Sequence, residues 1–253
     1  GDVIKIEQSR SFQLKIKGPF GKFLDLNENI ILKVINGLEE LYERKFKVCV
    51  TLEKNLPISS GMGGGSSNAA TVIRAIHDIF RIKESENLDH FLISIGADVP
   101  FCYYGKSATI KGIGEQIEFV NHELCDYYVL LVNPLEEVST KNVFEKLKIL
   151  KKKKGKKEIK SNKLNLEFLK EKENHLEAVA IRELSKIKTI LEFLKFQTDS
   201  LYSRMTGSGA TCFSFYKNKE SLKIAENMLK SNFPSFWVMK TKLVNSINDI
   251  NLV

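Results

Sequence analysis

No apolar stretch in this sequence reaches the roughly 18 residues that a bilayer-crossing helix needs. No signal-peptide pattern opens it either. The four cysteines, Cys49, Cys102, Cys125 and Cys212, are far apart and form no CxxC pair. That spacing argues against a zinc site or a disulfide framework and for reduced, buried thiols in a cytoplasmic protein. His77, His90, His122 and His175 fall at no metal-ligand spacing. There is no internal repeat.

Acidic charge is short of basic charge, 31 residues against 39, for a net +8. Six of the lysines lie in one run, Lys151–Lys157 (KKKKGKK), and without them the chain is near +2. The basicity therefore belongs to one segment, which reads as a solvated loop. It has no interleaved aromatics and no nucleic-acid motif beside it, so neither nucleic acid nor membrane is the expected partner. What remains is a chain of 253 residues, 43% hydrophobic, long enough for one large domain or two small ones with real cores.

Apolar periodicity places the elements. Val3–Glu7 and Phe12–Ile16 alternate as strands and are expected to pair with each other. Asn29–Arg44 has helical spacing, Phe46–Leu52 is strand-like, and Ala69–Phe80 and Leu88–Ile95 are helical, the latter stopped by Gly96. Strands are expected at Val99–Tyr104, Ala108–Lys111, Gln116–Val120 and Tyr127–Val132. Leu176–Phe196 reads as one helical region, followed by a glycine turn at Thr206–Ala210. A strand (Thr211–Tyr216), a helix (Glu220–Leu229) and a last strand (Trp237–Leu243) complete the order. The expected class is α+β, with two halves sharing a cleft, residues 1–124 and 125–253.

The most informative stretch is NLPISSGMGGGSSNAATVI, residues Asn55–Ile73. It is not a Walker loop, because no lysine follows the sixth residue counted from Gly61. It is not GxGxxG either, because Ser66 stands where the third glycine belongs. Its physics still points to an anion. Gly63–Gly65 can bring successive N–H groups to one point. Ser66 or Ser67 is a natural cap for the helix behind, whose free N–H groups and positive dipole end face the loop. A triphosphate suits such a nest, with serine hydroxyls as neutral donors and Ser67 as a candidate Mg²⁺ ligand.

PISSGMGGGSSNAA resembles the phosphate loop of the GHMP small-molecule kinases. GADVPF (Gly96–Phe101) with GIGE (Gly112–Glu115) is similar to their third block, and RMTGSGA (Arg204–Ala210) to their C-terminal glycine motif. The resemblance covers nearly the whole chain. It implies a GHMP kinase fold, with an N-terminal domain like domain 2 of ribosomal protein S5 and a ferredoxin-like C-terminal domain. It implies ATP and Mg²⁺, and phosphorylation of an alcohol. The doubled glycine is most similar to the branch acting on the 2-hydroxyl of 4-diphosphocytidyl-2-C-methyl-D-erythritol in non-mevalonate isoprenoid synthesis. In that reading Asp98 accepts the hydroxyl proton, with much of its value in orientation and electrostatics. Pro100 would hold Val99 extended and so aim Asp98. Gly61, Gly63, Gly64, Gly65, Ser66 and Ser67 hold the ATP phosphates. Asn29 and Lys54 match adenine-side positions, against the simpler readings of a helix cap and a solvated lysine. Thr140, Phe144, Gly207, Ser208 and Gly209 fall on the substrate side, Phe144 stacking on cytosine unless it is core. No protein-only metal site is implied, and the protein is expected to be a monomer or weak homodimer.

The family pattern also has an early A-K-[IL]-N-L strand with a catalytic lysine, and a G-Y-H segment at the cytosine. Neither occurs here, and Gly1-Asp2-Val3-Ile4 matches the strand that follows them. The expectation is that an N-terminal segment has been lost, leaving a sheet edge open and a poor catalyst. Two other readings stay open: a GHMP kinase for another alcohol such as homoserine or mevalonate, and a non-catalytic nucleotide- or RNA-binding relative using Lys151–Lys157.

Overall fold

The computed structural model describes residues 1–124, 126–151 and 163–244. Cys125 and residues 152–157 of the lysine run lie outside them. Two compact units form, residues 1–58 with 63–119, and residues 59–62 with those from 120 onward.

The first unit begins with strands β1 (Val3–Gln8) and β2 (Gln13–Lys17), a short 3-10 turn (Gly21–Phe23), helix α1 (Ile30–Leu41) and strand β3 (Val48–Glu53). Helices α2 (Gly64–Phe80), α3 (Leu88–Ile95) and α4 (Val99–Tyr104) and the hairpin β4 (Ala108–Lys111)–β5 (Gln116–Phe119) follow. β1 and β2 do not pair with each other as their alternation predicts. β3 lies between them, antiparallel to β1 and parallel to β2. The reason is visible in β3, where Val48, Val50 and Leu52 are fully buried and the alternate residues are not. The most apolar strand takes the centre, where both edges can hydrogen-bond. Ile31, Val34, Ile35 and Leu38 of α1 and Val72, Ile73 and Ile76 of α2 close the core over it.

The second unit carries β6 (Asn121–His122), β7 (Tyr128–Asn133), α5 (Thr140–Lys151), β8 (Lys163–Leu164), α6 (Leu166–Glu171), α7 (Glu177–Glu183) and α8 (Lys186–Lys195). Then come β9 (Tyr202–Met205), β10 (Cys212–Tyr216), α9 (Lys219–Asn232) and β11 (Trp237–Lys242). The four strands β11-β7-β10-β9 form an antiparallel sheet, the ferredoxin-like layer that the resemblance implies. One face packs Leu130 and Val132 against Ile187, Ile190 and Leu194 of α8. The other packs Val129 with Tyr202 and Phe215.

Two further expectations are corrected. Val99–Tyr104 is a helix and not a strand. Pro100 sits in its first turn, where the missing N–H costs nothing, and Gly105 ends it in a left-handed conformation (φ +56°). Val99 is thus helical rather than extended. Leu176–Phe196 is two helices, parted where Leu184 turns extended and Ser185 begins the next. Of the thiols expected to be buried, Cys212 is, whereas Cys49 and Cys102 are half-buried.

Candidate active site

In the first unit the glycine stretch becomes the start of α2. The cap is Gly63, left-handed at φ +66° and without a side-chain cap bond, and not Ser66 or Ser67. Ser66 and Ser67 lie in the first turn, and the first intrahelical bond there is Ser67 N–H to the Gly63 carbonyl at 2.9 Å. The N–H groups of Gly64, Gly65 and Ser66 precede it and have no intrahelical acceptor. Of the loop's glycines, Gly61 and Gly63 have positive φ, as does Ser59 before them. Gly65 does not, and a Cβ built on it would meet nothing within 4 Å. Among the described residues no neighbour requires glycine there. An anion drawn onto those N–H groups would.

Lys54 and Asp2 fix the loop from behind. The Lys54 side chain is 6% exposed and the Asp2 side chain 2%, and their ion pair is 2.8 Å long. The ammonium also donates to the Leu56 carbonyl at 2.8 Å. Asp2 Oδ1 accepts from the Asn55 and Leu56 N–H groups, each at 2.8 Å, and Oδ2 from Asn68 Nδ2 at 2.8 Å. One carboxylate thus joins β1, the entry to the loop and the second turn of α2. Burial pushes the Asp2 carboxyl up, but the hydrogen bonds from Lys54, Leu56 and Asn68 and the Lys54 charge together bring it below its ordinary value. Lys54 is therefore no solvated lysine. Asn29, also buried, caps α1 by accepting from Ile31 N–H at 2.9 Å.

Asp98 stands exposed at the start of α4, and among the described residues its carboxylate takes no hydrogen bond or ion pair. The backbone before it is fixed by the GIGE turn. A Cβ on Gly114 (φ +111°) would fall 2.1 Å from the Ala97 carbonyl, so only glycine permits this approach. GADVPF and GIGE are thus one structural feature. Burial, and after it the Asp98 carboxylate, pushes the Cys102 thiol up to about 11.

Behind α4 lies a chain of polar groups, buried at His77 and Tyr103 and reaching the surface at Glu84. Ser85 N–H donates to the Tyr42 hydroxyl (3.2 Å), which lies 3.1 Å from His77 Nε2. His77 Nδ1 is 3.2 Å from the Tyr103 hydroxyl, which donates to Glu84 Oε1 at 2.5 Å. Every donor has an acceptor if His77 is neutral with its proton on Nδ1. Burial lowers the His77 pKa more than the nearby Glu84 and Asp78 carboxylates raise it, which agrees.

In the second unit residues 59–62 pack on the TGSGA turn. A Cβ on Gly61 (φ +69°) would lie 2.6 Å from the Gly209 carbonyl oxygen and 2.7 Å from that of Thr206. One on Gly207 (φ +53°) would lie 2.7 Å from the Gly61 carbonyl oxygen. The Thr206 hydroxyl donates to Gly61 O at 3.2 Å. These glycines are demanded by backbone meeting backbone. Asn174 holds the same turn, donating to the Met205 and Gly207 carbonyls at 3.0 and 2.8 Å. Thr140, which opens α5, and the buried Ser208 are joined through their hydroxyls at 2.8 Å. Phe144 on α5 is 47% exposed, so it is not core. Among the described residues no three His, Cys, Asp or Glu side chains gather as a metal site.

Sequence reasoning singled out the glycines and Asp98 but passed over Asp2, Asn68, Arg74 and Asn174. Asn68 did carry a signal, an amide directly before the apolar Ala69 and Ala70 on a buried helix face.

The chain is similar to known proteins. Residues 29–106 match the GHMP kinases N terminal domain and residues 156–235 the GHMP kinases C terminal domain. A 4-diphosphocytidyl-2-C-methyl-D-erythritol kinase of Clostridium tetani is 38% identical over 221 residues, covering 85% of this chain and 78% of its own. The enzyme of that name from Clostridioides difficile is 33% identical, covering 95% and 83%. A crystal structure of 4-(cytidine 5'-diphospho)-2C-methyl-D-erythritol kinase superposes with a TM-score of 0.73 at 23% identity, covering 96% of this chain and 87% of that one. Homoserine kinase from Cytophaga hutchinsonii has the same fold, with a TM-score of 0.69 at 15% identity.

Proposed function

The chain belongs to the GHMP kinase family, and we propose that it transfers the γ-phosphoryl group of ATP to the 2-hydroxyl of 4-diphosphocytidyl-2-C-methyl-D-erythritol. The observation that carries the phosphate site is the start of α2, with N–H groups free of intrahelical partners and open space over Gly65. The substrate rests on the relatives at 38% and 33% identity, both named for it.

In this reading Gly63, Gly64, Gly65 and Ser66 present backbone donors to the phosphates, and the Ser66 and Ser67 hydroxyls add neutral ones. Gly61 serves by holding its half of the loop on the TGSGA turn. Asn29 and Lys54 are engaged within the fold, and serve the nucleotide by fixing the ends of α1 and β3. Mg²⁺, brought on the nucleotide, would neutralise charge on its β- and γ-phosphates. Asp98, exposed and without a partner among the described residues, orients the substrate hydroxyl and accepts its proton as the O–P bond forms. Thr140, Gly207, Ser208 and Gly209 make up the substrate side in the second unit. The open ring of Phe144 suits stacking on a cytosine. Soluble substrates of this kind fit a cytoplasmic enzyme.

A panel of alcohols with ATP tests the reading. The purified protein should phosphorylate the diphosphocytidyl alcohol with a kcat/KM at least a hundredfold above that for homoserine or mevalonate. Preference for either of those, or ATP binding without transfer to any alcohol, would overturn it.

A further inference from the structure

We propose that Arg74 is a positioning residue for phosphoryl transfer, acting through α4 to set where Asp98 stands. The inference rests on the reading of Asp98 given above and goes beyond it.

α4 has six residues, too few to hold a fixed orientation by its own hydrogen bonds. Its first residue follows Asp98, and the Asp98 carbonyl accepts its Cys102 N–H at 3.0 Å. A tilt of α4 therefore moves Asp98. The last carbonyls of a helix lack intrahelical partners, and here two of them meet one side chain. Arg74 Nη1 lies 2.8 Å from the Cys102 carbonyl oxygen and 2.9 Å from that of Tyr103. Nη2 is steadied by the Thr71 hydroxyl at 3.3 Å, one turn back on α2. A fixed cation at a helix C-terminus is also favoured by the helix dipole. Tyr103 is gripped a second time from α2, its hydroxyl lying 3.2 Å from His77 Nδ1.

Arg74 and His77 belong to the helix whose first turn is the glycine loop. A single rigid helix thus holds the proposed phosphate donors at one end and, further along, grips the element that carries Asp98. Gly114 beneath Ala97 fixes the approach to Asp98 from the other side. Arg74 itself touches neither Asp98 nor the loop, so its contribution to rate is geometric. A small misplacement of a reacting group is enough to slow a reaction strongly.

Steady-state kinetics of the full chain with ATP and the diphosphocytidyl alcohol test this, using wild type, Arg74→Met, Arg74→Lys and Tyr103→Phe. Arg74→Met should lower kcat tenfold or more while KM for ATP stays within twofold. Arg74→Lys, which can still donate to both carbonyls, should recover most of that loss. Tyr103→Phe, which cuts only the second grip, should lower kcat less. An unchanged kcat in Arg74→Met, or kcat and ATP affinity falling in proportion, would overturn the proposal. Should Arg74→Met fail to fold, a wild-type kcat in both Tyr103→Phe and Arg74→Gln, whose shorter side chain cannot span both carbonyls, does the same. A wild-type protein that transfers nothing counts against the functional reading instead. Amide exchange then still decides the clamp: Arg74→Met, or Arg74→Gln in its place, should raise exchange across residues 99–105 and leave 64–68 as they were, and unchanged exchange across 99–105 would overturn it.

Discussion

Gly65 can become alanine without its new methyl touching another protein atom. In a helical first turn that exchange favours folding by about 0.5–1 kcal/mol. If phosphate sits over Gly65, the methyl occupies its place. Gly65→Ala should therefore keep or slightly raise the melting temperature while KM for ATP rises tenfold or more. Unchanged ATP affinity would remove Gly65 from the phosphate site. Gly61→Ala should behave in the opposite way, because its methyl meets backbone atoms at 2.6–2.9 Å. A loss of about 1–3 kcal/mol in denaturant unfolding is expected, from overpacking and a left-handed alanine. Asp98→Asn keeps shape but not basicity, and should lower kcat at least a hundredfold with ATP binding intact in calorimetry. All three residues are letters of the motifs quoted above. Their surroundings differ: open space over Gly65, backbone against Gly61 and an exposed carboxylate at Asp98.

At the scale of elements, the junction of β1, β3 and α2 hangs on the buried Asp2–Lys54 pair. Asp2→Ala leaves a buried cation and two loop N–H groups without their acceptor, a loss of about 3–5 kcal/mol. The double variant Asp2→Ala, Lys54→Met should recover part of it, as a double-mutant cycle in urea would show. Acid acts on the same pair. The Asp2 carboxyl titrates lower in the folded protein than its ordinary 3.8. As pH falls past 3.8 the unfolded chain takes the proton first, so this stability is whole above that pH and lost below it. His77 on α2 follows the same sign at a higher pH, since its folded pKa lies below 6.5. The unfolded chain binds that proton first, and stability declines as pH drops below 6.5. His77→Gln should flatten thermal stability just below pH 6.5, and an unaltered slope would rule out His77 as its source. α4 shows how an element can escape its own residues. VPFCYY is rich in strand formers, but a proline in the first turn, a left-handed glycine at the end and Arg74 on its last carbonyls make it a helix.

At the scale of the molecule, most elements were legible because amphipathic periodicity reports which face is buried. α1, β3, α2, α3, β7, β10, α9 and β11 lie close to where their apolar residues predict. So did the family, because a loop such as GGGSSNAA constrains backbone conformation through residue type alone. Pairing was not legible. β1 and β2 each chose β3, a decision that depends on which strand has most to bury and not on nearness in sequence. Nor was the division of labour among the glycines. Three of the motif's letters, Gly61, Gly207 and Gly209, meet one another's backbones 145 and more residues apart, as the Thr206–Gly61 bond does. The sequence by itself determined the α+β class, the element order and the glycine-rich start of α2, because these follow from local period and local backbone freedom. Only the tertiary structure decided that Asp2 neutralises Lys54, that Gly114 lies beneath Ala97 and that Arg74 closes α4. Each of those is a contact between distant residues in which burial sets the energy, and burial is a property of the folded chain.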